Sequence, residues 1–335
     1  MQTTFNTSIG PATEFLYGKR AQVRLGFGCA SLMRLPSRRR RQVLLAEAFE
    51  QGIRHFDVAR MYGLGAAEGE LGRFARGRRE ELAIATKFGI DPSGRIGRLA
   101  PLQAPARALL ARFPALRARV KRNDGALHTP RRYDAASACA SLETSLRELG
   151  TDYVDVLFIH DPAALALPDM DELVGALEGL REAGRIRAWG ISGEAGPSLL
   201  LATGWPQCVP QLRHDIFSFE APQTSGKVPP IYFGVLAEAL GLIRGRLLAD
   251  EGLRVSWRQT IGLDCADAKV LARLLLQDAL ARNRDGGAIF ATTQPERIGE
   301  AVAAAAALSC RSLSLAPLDT FRHLVAAVDW EAGNA

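Results

Sequence analysis

Short runs of aliphatic and β-branched residues recur along this chain, separated by stretches whose apolar positions repeat at helical spacing. The runs predict strands at residues 23–29 (VRLGFGC), 54–57, 82–87 (LAIATK), 153–159 (YVDVLFI), 186–192, 208–212, 231–236 and 287–292. Between them, Pro36 and Ser37 open a helix with Leu44, Leu45, Ala48 and Phe49 on one face. Further helices are predicted at 68–76, from the cap Asp134 to Leu149, at 170–183, 198–203, 267–282 and 295–307. Strands that alternate with helices of this length pair in parallel, and eight such units close into an α/β (β/α)8 TIM barrel. A doubly wound sheet is the alternative, but no GxGxxG follows a strand. The whole chain, 1–335, reads as one barrel. It carries a long insertion at about 88–133 after the third strand and a tail, irregular from about 308, that turns helical at 318–328.

Composition changes this picture little. A chain of 335 residues that is 47% hydrophobic can bury a large core. The polar start MQTTFNTSIG has no apolar stretch of the secretory kind, and the longest apolar runs fall short of a membrane span. Five scattered cysteines without a CxxC pair read as reduced thiols of a cytoplasmic protein.

Charge is more telling. The net +6 invites a nucleic-acid reading, yet ten basic and only two acidic residues fall within 88–133. The rest of the chain is slightly acidic, and it lacks zinc-finger spacing or an aromatic-rich RNA-binding strand, so no nucleic-acid partner is expected. Residues 106–121 predict a basic amphipathic helix interrupted at Pro114. The five histidines have no HExxH-like spacing, so no metal site is expected.

The ends of the predicted strands carry the chemistry. In a barrel of this kind, reactive groups sit where strands lead into helices. Asp57, Lys87, His160, Ser192 and Gln211 stand at five successive strand ends, and Tyr62 follows Asp57 just before a helix. Each has a plain structural alternative: Asp57 as a helix cap, Tyr62 as a packing residue, Lys87 as a solvated strand end. Together they suit one task. A phenol donates or takes a proton, an ammonium lowers its pKa, a carboxylate holds the ammonium, and an imidazole orients the carbonyl.

The chain also resembles the aldo-keto reductase family. The matching motifs are GIRHFDVARMYG (52–63), EGELG (68–72), IATK (84–87), LGTDYVDVLFIHDP (149–162), LREAGRIRAWGIS (180–192), YFGVLAEAL (232–240) and TTQPERIGEAV (292–302). The resemblance implies a barrel that binds NADP(H), with NAD(H) left open. It implies hydride transfer to or from a small carbonyl or alcohol (sugar-like, pyridoxal-like or another aldehyde or ketone), with Tyr62 as general acid/base. Asp57, Tyr62, Lys87 and His160 match the family's catalytic tetrad. Ser192 and Gln211 match the residues that hold the nicotinamide carboxamide. Gly234 to Ala237, including Leu236, would follow the pyrophosphate, and Thr292, Thr293 and Arg297 match the holders of the adenosine 2′-phosphate. The chain departs from the family at Gly193, Ala291 and Ala301, where cofactor contacts are usual, and in the run LRHDIF after Gln211, which leaves no evident stacking partner for the nicotinamide.

Two other functions stay open at this stage: a non-catalytic barrel that senses nucleotide for a partner protein, and a Schiff-base lyase using Lys87. The basic insertion and the run RRRR at 38–41 both fall on the expected catalytic face. They suggest an anionic substrate or an acidic protein docked over the pocket, or simply a solvated loop. Cations at a helix start oppose its dipole, so a compensating anion is expected there.

Overall fold

In the computed structural model, residues 14–17, 23–92, 131–162, 170–218, 228–308 and 315–330 are described. Eight parallel strands close into a barrel in chain order. They are β1 (Leu25–Gly28), β2 (His55–Asp57), β3 (Ala83–Phe88), β4 (Val154–His160), β5 (Ile186–Glu194), β6 (Val209–Arg213), β7 (Ile231–Phe233) and β8 (Gly287–Phe290). Closure is made by β8 pairing with β1, with Gly26 opposite Ile289. Each strand lies within a few residues of its predicted position. β1, β7 and β8 stop earlier than the apolar runs suggest, because their last apolar residues turn into loops.

The intervening helices are α1 (Arg38–Glu50), α2 (Ala66–Ala75), α3 (Ala135–Leu149), α4 (Met170–Glu182), α5 (Ala195–Ala202), α6 (Ala239–Ala249), α7 (Glu251–Ile261), α8 (Ala268–Arg282), α9 (Glu296–Ala307) and α10 (Ala316–Ala326). Asp134 caps α3 as expected, accepting from the Ser137 amide, and Gly150 ends that helix in a left-handed conformation. Helices α6 and α7 are additions to the predicted set. The apolar residues of α6 face both ways, Ile243 and Leu247 inward, Leu242 and Leu248 outward, and α7 buries only Trp257. Neither presents a clean stripe. The expected helix at 106–121 lies outside the described residues, as do 93–130 of the basic insertion. No helix among the described residues is long and apolar enough to cross a membrane.

Strand periodicity decides which side chains enter the barrel. Ala85, Val156, Phe158, Ala188, Val209, Ile231 and Ile289 form an inner cluster, closed at the bottom by Leu16 and Tyr17. His55 continues this floor, its ring tilted against Tyr17 and its Nδ1 on the Leu16 carbonyl. The intervening strand residues Phe27, Phe56, Ile84, Leu157 and Ile191 point outward into a larger core shared with the helices. Phe158 needs space inside the barrel, and Gly190 beside it provides that space. A Cβ on Gly190 would lie 2.1 Å from the Val209 carbonyl and 2.7 Å from the Phe158 ring.

Candidate active site

Continuing the inward alternation by one step brings Asp57, Lys87, His160, Ser192 and Gln211 to the same rim. Lys87 pairs in register with Phe158, His160 with Ser192, and Ser192 with Gln211. These groups therefore sit on adjacent strands at one level, above the apolar plug. Tyr62 reaches the rim from the short turn after β2.

Asp57 and Lys87 form a buried ion pair. The Asp57 carboxylate also accepts from Gln211 Nε2 at 2.8 Å, and Ser192 Oγ donates to Gln211 Oε1. Ser192, Gln211, Asp57 and Lys87 are thus one hydrogen-bonded chain, all nearly free of solvent. Withdrawing both charges of such a pair from water is costly, and apolar side chains of the same size are often at least as stable. Stability alone does not account for it.

The Tyr62 ring stands edge-on to the His160 imidazole, with centroids 6.2 Å apart and planes at 86°. Lys87 Nζ lies 6.0 Å from the Tyr62 ring centre. Burial pushes the Tyr62 phenol well above its ordinary pKa, and the Asp57 carboxylate and the Cys29 thiol push it further the same way. The net direction is upward, against the lowering expected from Lys87. The ammonium is engaged by Asp57, and burial itself pulls Lys87 down against the opposing pull of that carboxylate. The Tyr62 phenol therefore keeps its proton at neutral pH.

Behind Tyr62, the buried Glu68 accepts from Arg60 Nη1 at 2.6 Å and from Thr86 Oγ1 at 2.7 Å. It joins the Tyr62 turn to the strand that carries Lys87. Two of the four arginines at the start of α1 find an anion here too. Glu70 pairs with Arg41 at 3.1 Å and Arg38 at 3.6 Å, and none of residues 38–41 lines the cavity. Glu70, a glutamate of α2, thus supplies compensating charge to Arg38 and Arg41 at that helix start.

Above the rim opens a cavity of about 1530 Å³. Asp57, Tyr62, Lys87, His160, Ser192, Gln211, Gly234, Leu236, Thr292 and Arg297 all line it; Thr293 does not. The backbone after β8 turns there, with the Gln294 amide donating to Thr292 Oγ1 at 3.1 Å, so neighbouring threonines face different sides. At this far end two cations are spoken for: Lys269 by Glu300 at 2.7 Å, Arg254 by Asp264 at 2.6 Å. Arg273 and Arg297 line the wall without an ion-pair partner among the described residues.

Phe233 also lines the cavity, in the inward phase set by Ile231. The motif at 232–240 contains it, and its period-two relation to Ile231 places it in the wall. Arg131 enters the wall from the basic insertion and Arg213 from the run LRHDIF, while Arg244 and Arg273 come from segments that carry no recognisable signal. Among the described residues no cluster of His, Cys, Asp and Glu could hold a metal ion.

Fold and rim together define a parallel barrel in which a buried Lys87–Asp57 pair, Tyr62 and His160 open into a cavity large enough for a dinucleotide and a small molecule. The profile of the Aldo/keto reductase family matches residues 24–201. The chain belongs to that family. Its curated relatives include an aldo-keto reductase of Schizosaccharomyces pombe, named with NADP(+), 28% identical over 202 residues, covering 58% of this chain and 50% of that one. Another is a D-threo-aldose 1-dehydrogenase of Pseudomonas sp, 31% identical over 192 residues, covering 53% and 52%. The chain spans about half the length of the curated relatives it matches. An aldo-keto reductase of Bacillus halodurans, solved in its holo form, shares the fold with a TM-score of 0.64 and 20% identity, over 90% of this chain and 91% of that one. One from Klebsiella pneumoniae in complex with NADPH does so at 0.59 and 22%, over 91% and 93%.

Proposed function

We propose that this protein is an NADP(H)-dependent oxidoreductase that interconverts a small carbonyl compound and its alcohol, with Tyr62 moving the proton. The observation that carries this is the convergence of Tyr62, His160 and the buried Lys87–Asp57 pair at one cavity wall.

The residues present fit a nicotinamide dinucleotide. Ser192 and Gln211 offer a hydroxyl and a primary amide, groups that match a carboxamide. Phe233 offers an aromatic face beside them, supplying the stacking surface that LRHDIF lacks. Gly234 and Leu236 line the middle of the cavity, and Arg297 and Arg273 offer uncommitted cations at the far end for a phosphate. When bound, the cofactor supplies or accepts a hydride at its nicotinamide ring. Tyr62 then donates its proton to the carbonyl oxygen as negative charge develops there. The Lys87 ammonium, fixed by Asp57, stabilises the phenolate left behind. His160 orients the carbonyl oxygen toward Tyr62. A phenol pKa held above its usual value keeps the proton on Tyr62 at neutral pH until charge develops on the carbonyl oxygen.

For the substrate, the wall around Tyr62 combines Ala30, Met61 and Ile90 with the ion pair Arg131–Asp161. Every described cation near Tyr62 has an anionic partner, Arg60 included. That weighs toward a neutral aldehyde or ketone over an anionic one.

One observation favours a second reading. Burial lowers the Lys87 pKa, which makes the free amine of a Schiff-base enzyme more accessible. Against it, the amine is bound to Asp57. Borohydride trapping with a carbonyl substrate separates the two.

The direct test is a titration with NADPH and NADH followed by intrinsic tryptophan fluorescence, then cofactor turnover with a panel of small aldehydes. Tyr62→Phe is expected to abolish turnover and keep cofactor binding. Near-normal turnover in that variant, or no cofactor binding by the wild type, sinks the proposal.

A further inference from the structure

The chain leaves β4 through an unusual corner. His160 is the last strand residue, and Asp161 follows it with φ +50, in the left-handed region that residues with a Cβ adopt only at a cost. Such a conformation persists when its surroundings hold it. Here they do so from three sides. The Asp161 amide donates to the Ser192 carbonyl at 2.6 Å. Tyr133 Oη shares its proton between the carbonyls of His160, at 2.8 Å, and Asp161, at 3.0 Å. Arg131 forks onto the same residue, Nη1 on the Asp161 carbonyl and Nη2 on its carboxylate, both at 2.7 Å.

The strap that supplies Tyr133 and Arg131 is itself anchored. Tyr133 is buried, and its ring lies directly on Gly89, where a Cβ would come within 2.2 Å of it. The Arg132 amide donates to the Gly89 carbonyl at 3.1 Å. Gly89 follows β3, two residues beyond Lys87. The returning limb of the insertion therefore ties the exit of the Lys87 strand to the exit of the His160 strand. The Arg131–Asp161 ion pair is about half exposed and as a charge pair contributes little. Its worth is geometric, because the same guanidinium also holds the Asp161 carbonyl.

We infer that Tyr133 and Arg131 are positioning residues for His160: they lock the His160–Asp161 corner and so fix the imidazole against Tyr62. Given the oxidoreductase reading, on which the kinetic arm rests, loosening the corner misaligns the carbonyl-orienting group without touching the cofactor. Displacements on the order of 1 Å at reacting groups cost about 100-fold in rate.

The experiment uses the full chain with ¹⁵N-labelled histidine, the His160 signals being assigned with His160→Gln. Wild type is expected to show one sharp set of His160 ring signals. Tyr133→Phe, which keeps the ring and deletes only the donor, and Arg131→Ala are expected to split or broaden that set while the His55 signals stay unchanged. In turnover assays both variants are expected to lose kcat by about tenfold or more, with the NADPH Kd within about twofold of wild type. Arg131→Lys is expected to restore part of the loss. In an Asp161→Gly background, where the corner is free of Cβ strain, Tyr133→Phe is expected to cost less than in wild type. Unchanged His160 signals in both variants overturn the inference, as does wild-type kcat in both. A wild type without turnover counts against the oxidoreductase reading alone, and the His160 signals still decide the positioning role.

Discussion

Gln211 donates its side-chain amide to the Asp57 carboxylate at 2.8 Å, although 154 residues separate the two in the chain. A residue matched by position to cofactor holding is thereby also a support of the Lys87–Asp57 pair. Replacing it with Leu removes a hydrogen bond to a buried carboxylate, a contact of about 1.5–3 kcal/mol. Gln211→Leu is expected to lower kcat by about tenfold even at saturating NADPH. A residue serving only the nicotinamide carboxamide would show its loss in cofactor affinity, relieved at saturation, so kcat measured against cofactor concentration distinguishes the roles.

Arg297 stands at the first turn of α9 and lines the far end of the cavity without an ion-pair partner among the described residues. A guanidinium there meets a phosphate through a charge-assisted bond of about 1.5–3 kcal/mol. Arg297→Ala is expected to raise the NADPH Kd by about tenfold or more and to leave the NADH Kd within about twofold. Fluorescence titration with both cofactors checks it. Equal losses for the two would remove the 2′-phosphate from the assignment.

His214 is buried and stacked on Tyr232, centroids 4.2 Å apart, with no hydrogen-bond partner on either ring nitrogen among the described residues. Burial pushes its pKa down from 6.5 to about 4, with the Arg322 charge adding to the effect. Between these values the unfolded chain binds a proton that the folded one refuses. Stability is therefore expected to fall as pH drops from about 6.5 to about 4, and the contribution is level outside that window. His214→Phe keeps the stacking and deletes the titration. Thermal midpoints from pH 7 to pH 4 are expected to decline more steeply for wild type than for the variant.

Gly190 faces the barrel interior between Phe158 and the Val209 carbonyl. Gly190→Ala forces a methyl group against the backbone of the neighbouring strand, where no side chain can move aside. A loss on the order of 3 kcal/mol is expected, at the upper end of overpacking costs. Denaturant unfolding measures it. Gly175→Ala, on a helix where nothing lies within 4 Å of the added carbon, serves as the control without a clash and is expected to gain about 0.5–1 kcal/mol from helix propensity.

Much of this molecule was legible before any coordinates. The barrel follows from local rules: each strand is a short apolar run, each amphipathic helix has its stripe, and eight repetitions of the unit leave closure as the way to bury both. Asp57, Lys87, His160, Ser192 and Gln211 stand at strand ends that the same periodicity locates, so their shared rim follows from position along the chain. Helices α6 and α7 escaped because α6 is apolar on two sides and α7 on almost none.

Tertiary structure decided what no local pattern encodes. The direction in which the Tyr62 pKa moves depends on groups folded around it, and burial with the Asp57 carboxylate turns it upward. The arginines at 38–41 suggest an anion, and the fold brings one, Glu70 from the next helix, to Arg38 and Arg41. The corner at Asp161 is invisible in sequence, since it is held by Ser192 and by the strap that carries Arg131 and Tyr133, two segments distant from it along the chain. Strand and helix positions are properties of neighbours along the chain. Proton affinities, ion-pair partners and strained corners are set by groups that only folding brings together, in an interior where each unpaired charge is costly.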